Sequence, residues 1–102
     1  MNILRLKQLN LNKGIRFVFM YLASIIFVSV LIFHFVEKLP WIEAFYFTIT
    51  TLTTVGYGDY NLHDAQPWLK LYGTFIMVSG PASIAVLVAF ISTSIIQSRL
   101  NE

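Results

Sequence analysis

Two long apolar runs dominate the chain. Residues 17–36 contain no Asp, Glu, Lys or Arg and are bounded by Arg16 and Glu37. At about 1.5 Å per residue they reach about 30 Å, the thickness of a bilayer's hydrocarbon core, and predict an outer membrane helix. Residues 71–98, between Lys70 and Arg99, form a second uncharged run. As a helix it would measure about 42 Å, longer than the hydrocarbon, so the predicted inner helix tilts or extends past the interface. A signal peptide does not fit the first run, which is long for one and is followed by no small-residue cleavage pattern.

Between the spans lies a third apolar stretch, residues 39–58, whose single charge is Glu43. Pro40 suits a helix start, and Glu43 falls in the first turn, where the helix dipole favours an anion. The helix predicted over 41–52 is short, because Thr48, Thr50, Thr51, Thr53 and Thr54 are poor helix formers and Gly56 and Gly58 break the pattern. Such a helix covers about 18 Å, roughly half a membrane. It reads as a re-entrant pore helix, since a third full crossing would conflict with the placement of the charges.

Composition supports lipid as the solvent: 57% of the 102 residues are apolar and only 12% are charged, against about 25% charged in soluble domains. The fold class expected is an all-α membrane protein forming a single domain over 1–102. Cysteine is absent, which excludes disulfides and thiolate chemistry. A net charge of +2 gives no reason to expect a nucleic-acid partner. Arg5, Lys7, Lys13 and Arg16 precede the first span, whereas only Lys38 and Lys70 lie between the spans. The positive-inside rule then puts both termini in the cytoplasm and the intervening segment outside the cell membrane. Residues 1–14 interleave Ile3, Leu4, Leu6, Leu9 and Leu11 with basic residues, a pattern that suits either an interfacial helix on the inner surface or a frayed tail.

The stretch after the pore helix carries the chemistry. Open backbone at membrane depth leaves amide groups unpaired at several kcal/mol each, so it persists only inside protein or along a watery path. In Thr54, Val55, Gly56, Tyr57 and Gly58, the glycines admit positive φ freely. Successive carbonyls can therefore turn to one side while Val55 and Tyr57 point to the other. With the Thr54 hydroxyl at the inner end, the result is a column of oxygen ligands for a cation.

Thr53-Thr54-Val55-Gly56-Tyr57-Gly58-Asp59 resembles the potassium-channel signature, whose filter of TVGYG carbonyls is a known selectivity device. Over about 17–98 the layout is similar to the two-transmembrane pore of prokaryotic potassium channels. The resemblance implies K+ coordination by Thr54, Val55, Gly56, Tyr57 and Gly58, with Asp59 behind the filter at the outer mouth. It also implies an aromatic cuff around Tyr57, for which Trp41, Phe45, Tyr46 and Phe47 are available. Some bacterial members pair the signature Asp with a Glu nine residues earlier. Thr50 stands at that position here, and a hydrogen bond from Tyr46 to Asp59 is the expected substitute. One loop cannot encircle an ion, so four copies around an axis are expected, a homotetramer in the bilayer that conducts K+ passively. Met77, Val78, Ser79 and Gly80 resemble the family's inner helix before its gating glycine, which makes Gly80 the hinge candidate, although Pro81 bends a helix unaided.

Other residues carry plainer expectations. His34 suits an interfacial hydrogen bond, and Trp41 and Trp68 suit the outer interface. His63 and Asp64 are too few for a metal site, and Ser24, Ser29 and Ser79 can bond to their own helix. No nucleophile, base and orienting acid converge, so no enzyme is expected. The alternatives are a less selective monovalent cation channel, a subunit of a potassium transporter, or a membrane scaffold. The last gives no reason for glycine-rich backbone at this depth. No helix carries the Arg or Lys repeat of a voltage sensor, and a cytoplasmic regulatory domain beyond Glu102, common in relatives, is absent from this chain.

Overall fold

The computed structural model describes residues 3–100. Positions 1, 2, 101 and 102 of the expected domain lie outside the described residues. Three helices follow in order: α1, Ile3–Phe35; α2, Trp41–Leu52; and α3, Pro67–Leu100. No strand occurs among the described residues, and the fold is all-α. With 33 and 34 residues, α1 and α3 each measure about 50 Å, close to the 55 Å long axis of the molecule. Both are long and apolar enough to cross a membrane.

The separate segment expected over 1–14 does not exist as such, because from Ile3 onward it is continuous with the outer helix. Gly14 is the residue there that weakens a helix most, and packing explains its place. The ring of Phe90 on α3 lies where a side chain on Gly14 would sit, 2.8 Å from the position a Cβ would take. The extension is thereby held along α3 instead of turning onto the membrane surface. Lys7 and Asn10 of α1 line one cleft with Phe90 and Gln97 of α3, so the two long helices run antiparallel. The inner helix starts at Pro67, earlier than position 71, because Lys70 stays exposed and costs the helix nothing.

α1 ends in a tight turn. Lys38 takes a left-handed φ of 58°, Leu39 N–H donates to the Phe33 carbonyl at 3.3 Å, and His34 Nδ1–H donates to the Leu39 carbonyl at 2.6 Å. The His34 ring also stacks on Trp41 with centroids 3.7 Å apart. Pro40 occupies the N-cap of α2 and not its first turn; its φ of −55° fits either place.

The threonines that weaken α2 on propensity are satisfied by the helix itself. Thr48 donates to Ala44 O at 2.8 Å, Thr51 to Phe47 O at 2.8 Å and Thr53 to Ile49 O at 2.7 Å. Hydroxyls bonded in this way can sit in a water-poor region without an unpaired donor.

A small core gathers where α2 meets the long helices: Phe33, Ala44, Phe47, Leu52, Leu69 and Ile76 are among its members. Phe33 meets Phe47 edge-on at 4.9 Å and Tyr72 at 6.3 Å. Beyond it the long helices are mostly bare, with Phe27, Leu71, Phe75 and Val78 among their exposed apolar side chains. Such surfaces call for lipid or other chains.

Ser29 does not bond to its own helix as expected. Buried on α1, it shares a 2.6 Å hydrogen bond with the Tyr72 hydroxyl on α3. Tyr72→Phe should destabilise the protein by about 1 kcal/mol, because the serine hydroxyl is left without its partner. Thermal unfolding in detergent should show the double variant with Ser29→Ala losing less than the sum of the two single changes.

Candidate functional site

The connection from α2 to α3 begins at Thr53, the C-cap of α2, whose N–H still reaches Ile49 O at 3.0 Å. Beyond it φ is positive at every second residue: 67° at Thr54, 52° at Gly56 and 82° at Gly58, with Val55 and Tyr57 outside that region. Regular alternation of handedness is neither helix nor strand. Such alternation is what a backbone needs if the carbonyls of consecutive residues are to face one side of the chain.

Glycine adopts these angles without strain. Thr54 does not, since a β-branched residue at positive φ is a genuine outlier and stores about 1–3 kcal/mol. One surrounding contact that holds the segment is a hydrogen bond from Gly56 N–H to the Thr50 carbonyl at 3.0 Å, which ties it to the last turn of α2. Behind the segment is a cleft lined by Phe47, Thr50, Thr54, Tyr60 and Met77, among others. A Cβ added at Gly56 or Gly58 would meet no atom within 4 Å, so conformation and not space is what demands glycine there.

The aromatic residues divide their work differently from the expected cuff. Tyr46 lies parallel to Tyr57, with centroids 6.3 Å apart and planes 2° from parallel. Trp41 packs instead on His34 and Phe35, Phe45 lines a groove against Phe27 and Val30 of α1, and Phe47 is buried between Phe33 and Tyr60. The expected bond from Tyr46 to Asp59 is not formed, and the Tyr46 ring stacks on Tyr57. Asp59 Oδ1 accepts from the Tyr60 N–H at 3.2 Å. The Thr50 hydroxyl turns back to Phe47 O at 3.0 Å.

Two residues missed in the sequence complete the outer end. Tyr60 packs edge-on against Phe47 at 4.8 Å, and Glu37, just past the end of α1, lies near enough for its charge to act on the Tyr60 hydroxyl. Partial burial, then the nearby Glu37 carboxylate, push the Tyr60 hydroxyl up from 10.0 to about 12. Neither residue belongs to a motif; Tyr60 adjoins the signature, and only the fold brings Glu37 to it.

Gly80 lies in an unbroken α3 and is buried beneath the end of α2. A Cβ there would lie 3.1 Å from the Leu52 Cα and would collide with its side chain. The glycine therefore permits close approach of the inner helix to the pore helix, a role distinct from flexing. Pro81 follows inside the helix, and Ser83 donates its hydroxyl to the Ser79 carbonyl at 2.7 Å.

A half-length helix, a backbone column at its C-terminal end and two flanking apolar helices define the pore unit of a membrane channel. Residues 16–97 match the family model described as ion channel, and the chain belongs to that family. It is similar to two-pore potassium channel 2 of Arabidopsis thaliana, with 40% identity over 72% of this chain and 16% of the relative. Two-pore potassium channel 3 of the same plant is 50% identical over 59% of this chain and 13% of its own length. The potassium inward rectifier (Kir)-like channel 3 is 39% identical over 56% and 20% respectively. The chain thus spans at most a fifth of these relatives' length. As they are plant proteins, the likeness extends beyond the prokaryotic pores that the signature resembles. The family makes the chain a channel component and a membrane protein, not an enzyme.

Two outcomes follow from the geometry. Gly80→Ala should cost about 1–3 kcal/mol by overpacking, and Leu52→Ala should restore part of it; thermal unfolding of the single and double variants checks this. For Tyr60, the folded chain keeps a proton that the unfolded chain releases near pH 10. Its contribution is therefore complete below pH 10 and lost as pH rises through about 12. The stability of Tyr60→Phe should fall less steeply over that interval.

Proposed function

We propose that the chain is one of four identical subunits of a potassium-selective channel that conducts K+ passively down its electrochemical gradient. The observation that carries the reading is the alternation of positive φ at Thr54, Gly56 and Gly58. In a four-fold assembly these strands would line one axis, and the carbonyls of residues 54–58 would form successive oxygen rings replacing the ion's hydration shell. The Thr54 hydroxyl adds the innermost ring. Potassium is favoured by the Gly56-Tyr57 pair in the signature and by the printed names of the relatives.

The C-terminal, partially negative end of α2 would face the cavity below the filter and favour a cation there. Tyr46 stacked on Tyr57 would hold the filter's width from outside, with Trp41 fixing the start of α2 on α1. Basic residues concentrate at the end where the termini meet, namely Arg5, Lys7, Lys13, Arg16 and Arg99. That end belongs in the cytoplasm by the positive-inside rule, which leaves Asp59 at the extracellular mouth of the cell membrane. Any pivot of α3 at Gly80 would slide the inner helix on Leu52 and be felt at the foot of the filter. A C-terminal regulatory domain belonging to a longer protein would act through this inner helix.

Planar bilayers holding the purified protein, with K+ on one side and Na+ on the other, test the reading. Single-channel steps whose reversal is displaced far from zero in the direction set by K+ permeation are expected; silence, or a reversal near zero, would refute it. Gly56→Ala should assemble normally yet lose selectivity, since left-handed backbone costs a side-chain-bearing residue about 1–2 kcal/mol per subunit.

A further inference from the structure

Burial along α3 stops halfway. The buried residues of the helix are Leu69, Gly73, Ile76 and Gly80, whose spacing by threes and fours puts them in one stripe on a single face. At two of them a glycine lets a neighbour come close: Leu62 lies 2.7 Å from where a Gly73 Cβ would sit, and Leu52 crowds the same place at Gly80. This upper half is thereby fastened to the pore helix and to the loop that follows the filter. From Pro81 onward no described residue of α3 is fully buried.

The change falls where the helix backbone is weakest. Pro81 has no N–H, so the carbonyl of Met77, four residues back, loses its helical donor. The Ser83 hydroxyl bonds back to the Ser79 carbonyl at 2.7 Å, a contact that itself favours bending. Below this joint a cleft lined by Val18, Tyr21, Ala82 and Val86 opens between α1 and α3, and nearer the termini another is lined by Lys7, Asn10 and Gln97. Between the two clefts the Phe90 ring sits against Gly14, 2.8 Å from the place of a Cβ. Phe90 follows Pro81 by nine residues, about 14 Å along the helix, so a small bend at the joint becomes a large displacement of the ring. Any swing of the lower half has to draw that ring out of a notch which a glycine leaves open.

We propose that Phe90 in the Gly14 notch is a latch: it holds the lower half of α3 to α1 in one gating state, and its release lets that half swing about Pro81 and change the width of the inner pore. This rests on the channel function proposed above and adds its regulation. The filter stays with the fastened upper half. The latch therefore governs how long the pore remains in a state and not which ion it passes.

Single-channel recording of the reconstituted protein tests it. The chain has no cysteine, so the double variant Gly14→Cys, Phe90→Cys carries two thiols and no others, and a short, reversible bis-methanethiosulfonate can join them across the notch. Linked monomers on a denaturing gel are expected, with dwell in one gating state lengthened until dithiothreitol cleaves the link. Phe90→Ala should shorten dwell in that same state by about tenfold, because a half-buried ring loses its contacts. Gly14→Ala, which favours the helix but crowds the ring, should act in the same direction, and Phe90→Leu added to it should bring the dwell time back toward the parent's. The K+/Na+ permeability ratio should be the parent's throughout. Dwell times indifferent to the link, a link that prolongs one state while Phe90→Ala shortens the other, thiols that join only between subunits, or a changed permeability ratio would overturn the latch. A silent parent protein would bring down the channel reading as well, whereas a conducting parent with unaltered variants refutes the latch alone.

Discussion

An amide group that leaves a helix inside hydrocarbon must find a partner or be given a use, and the architecture follows from that constraint. α2 stops at Leu52, too short to cross, and the chain continues as open backbone. Hydrogen bonds back to α2 satisfy part of it, from Thr53 to Ile49 and from Gly56 to Thr50. Beyond those bonds the backbone alternates in the sign of φ, and open backbone of this kind persists at membrane depth only where protein surrounds it or it lines a watery path. The long helices serve this arrangement: α1 and α3 enclose the pore helix, and Gly80 lets α3 come close enough to support its end.

Strain and support are divided along the same short segment. Thr54 holds a left-handed φ that its β-branched side chain disfavours. It does so one residue after a capped helix end, where Thr53 is fixed by both its N–H and its hydroxyl on Ile49 O. Fixed torsions at the foot, a backbone bond at the middle and aromatic contacts at the outer end leave little freedom for the column.

Much of this was legible in the sequence, and the reasons are physical. The spans were visible because charge is excluded from hydrocarbon, and the pore helix because its length, its first-turn acid and its glycines all bear on one short segment. The open backbone after α2 was legible because glycines at 56 and 58 favour positive φ over helix, whereas the same conformation at Thr54 was not. What could not be read were contacts joining distant residues. Nothing in a one-dimensional pattern says that Gly14 makes room for Phe90, that Ser29 reaches Tyr72, or that Tyr60 packs on Phe47. The mistaken expectation for residues 1–14 has the same origin: amphipathic spacing suits a surface helix and a continued one equally, and a packing contact decided between them. Likewise Gly80 suggested flexibility, whereas the space it vacates is filled by Leu52.

The overlong helices have a consequence of their own. α1 and α3 overrun a bilayer's hydrocarbon by several turns, and near the joined termini the packing of Gly14 on Phe90 keeps them together as they do so. A thicker host leaflet can then swallow another turn of both helices at once, up to the cationic collar, without shearing one against the other. The helix pair is in that sense buoyant: it can ride at different depths in membranes of different thickness without changing how its two helices pack.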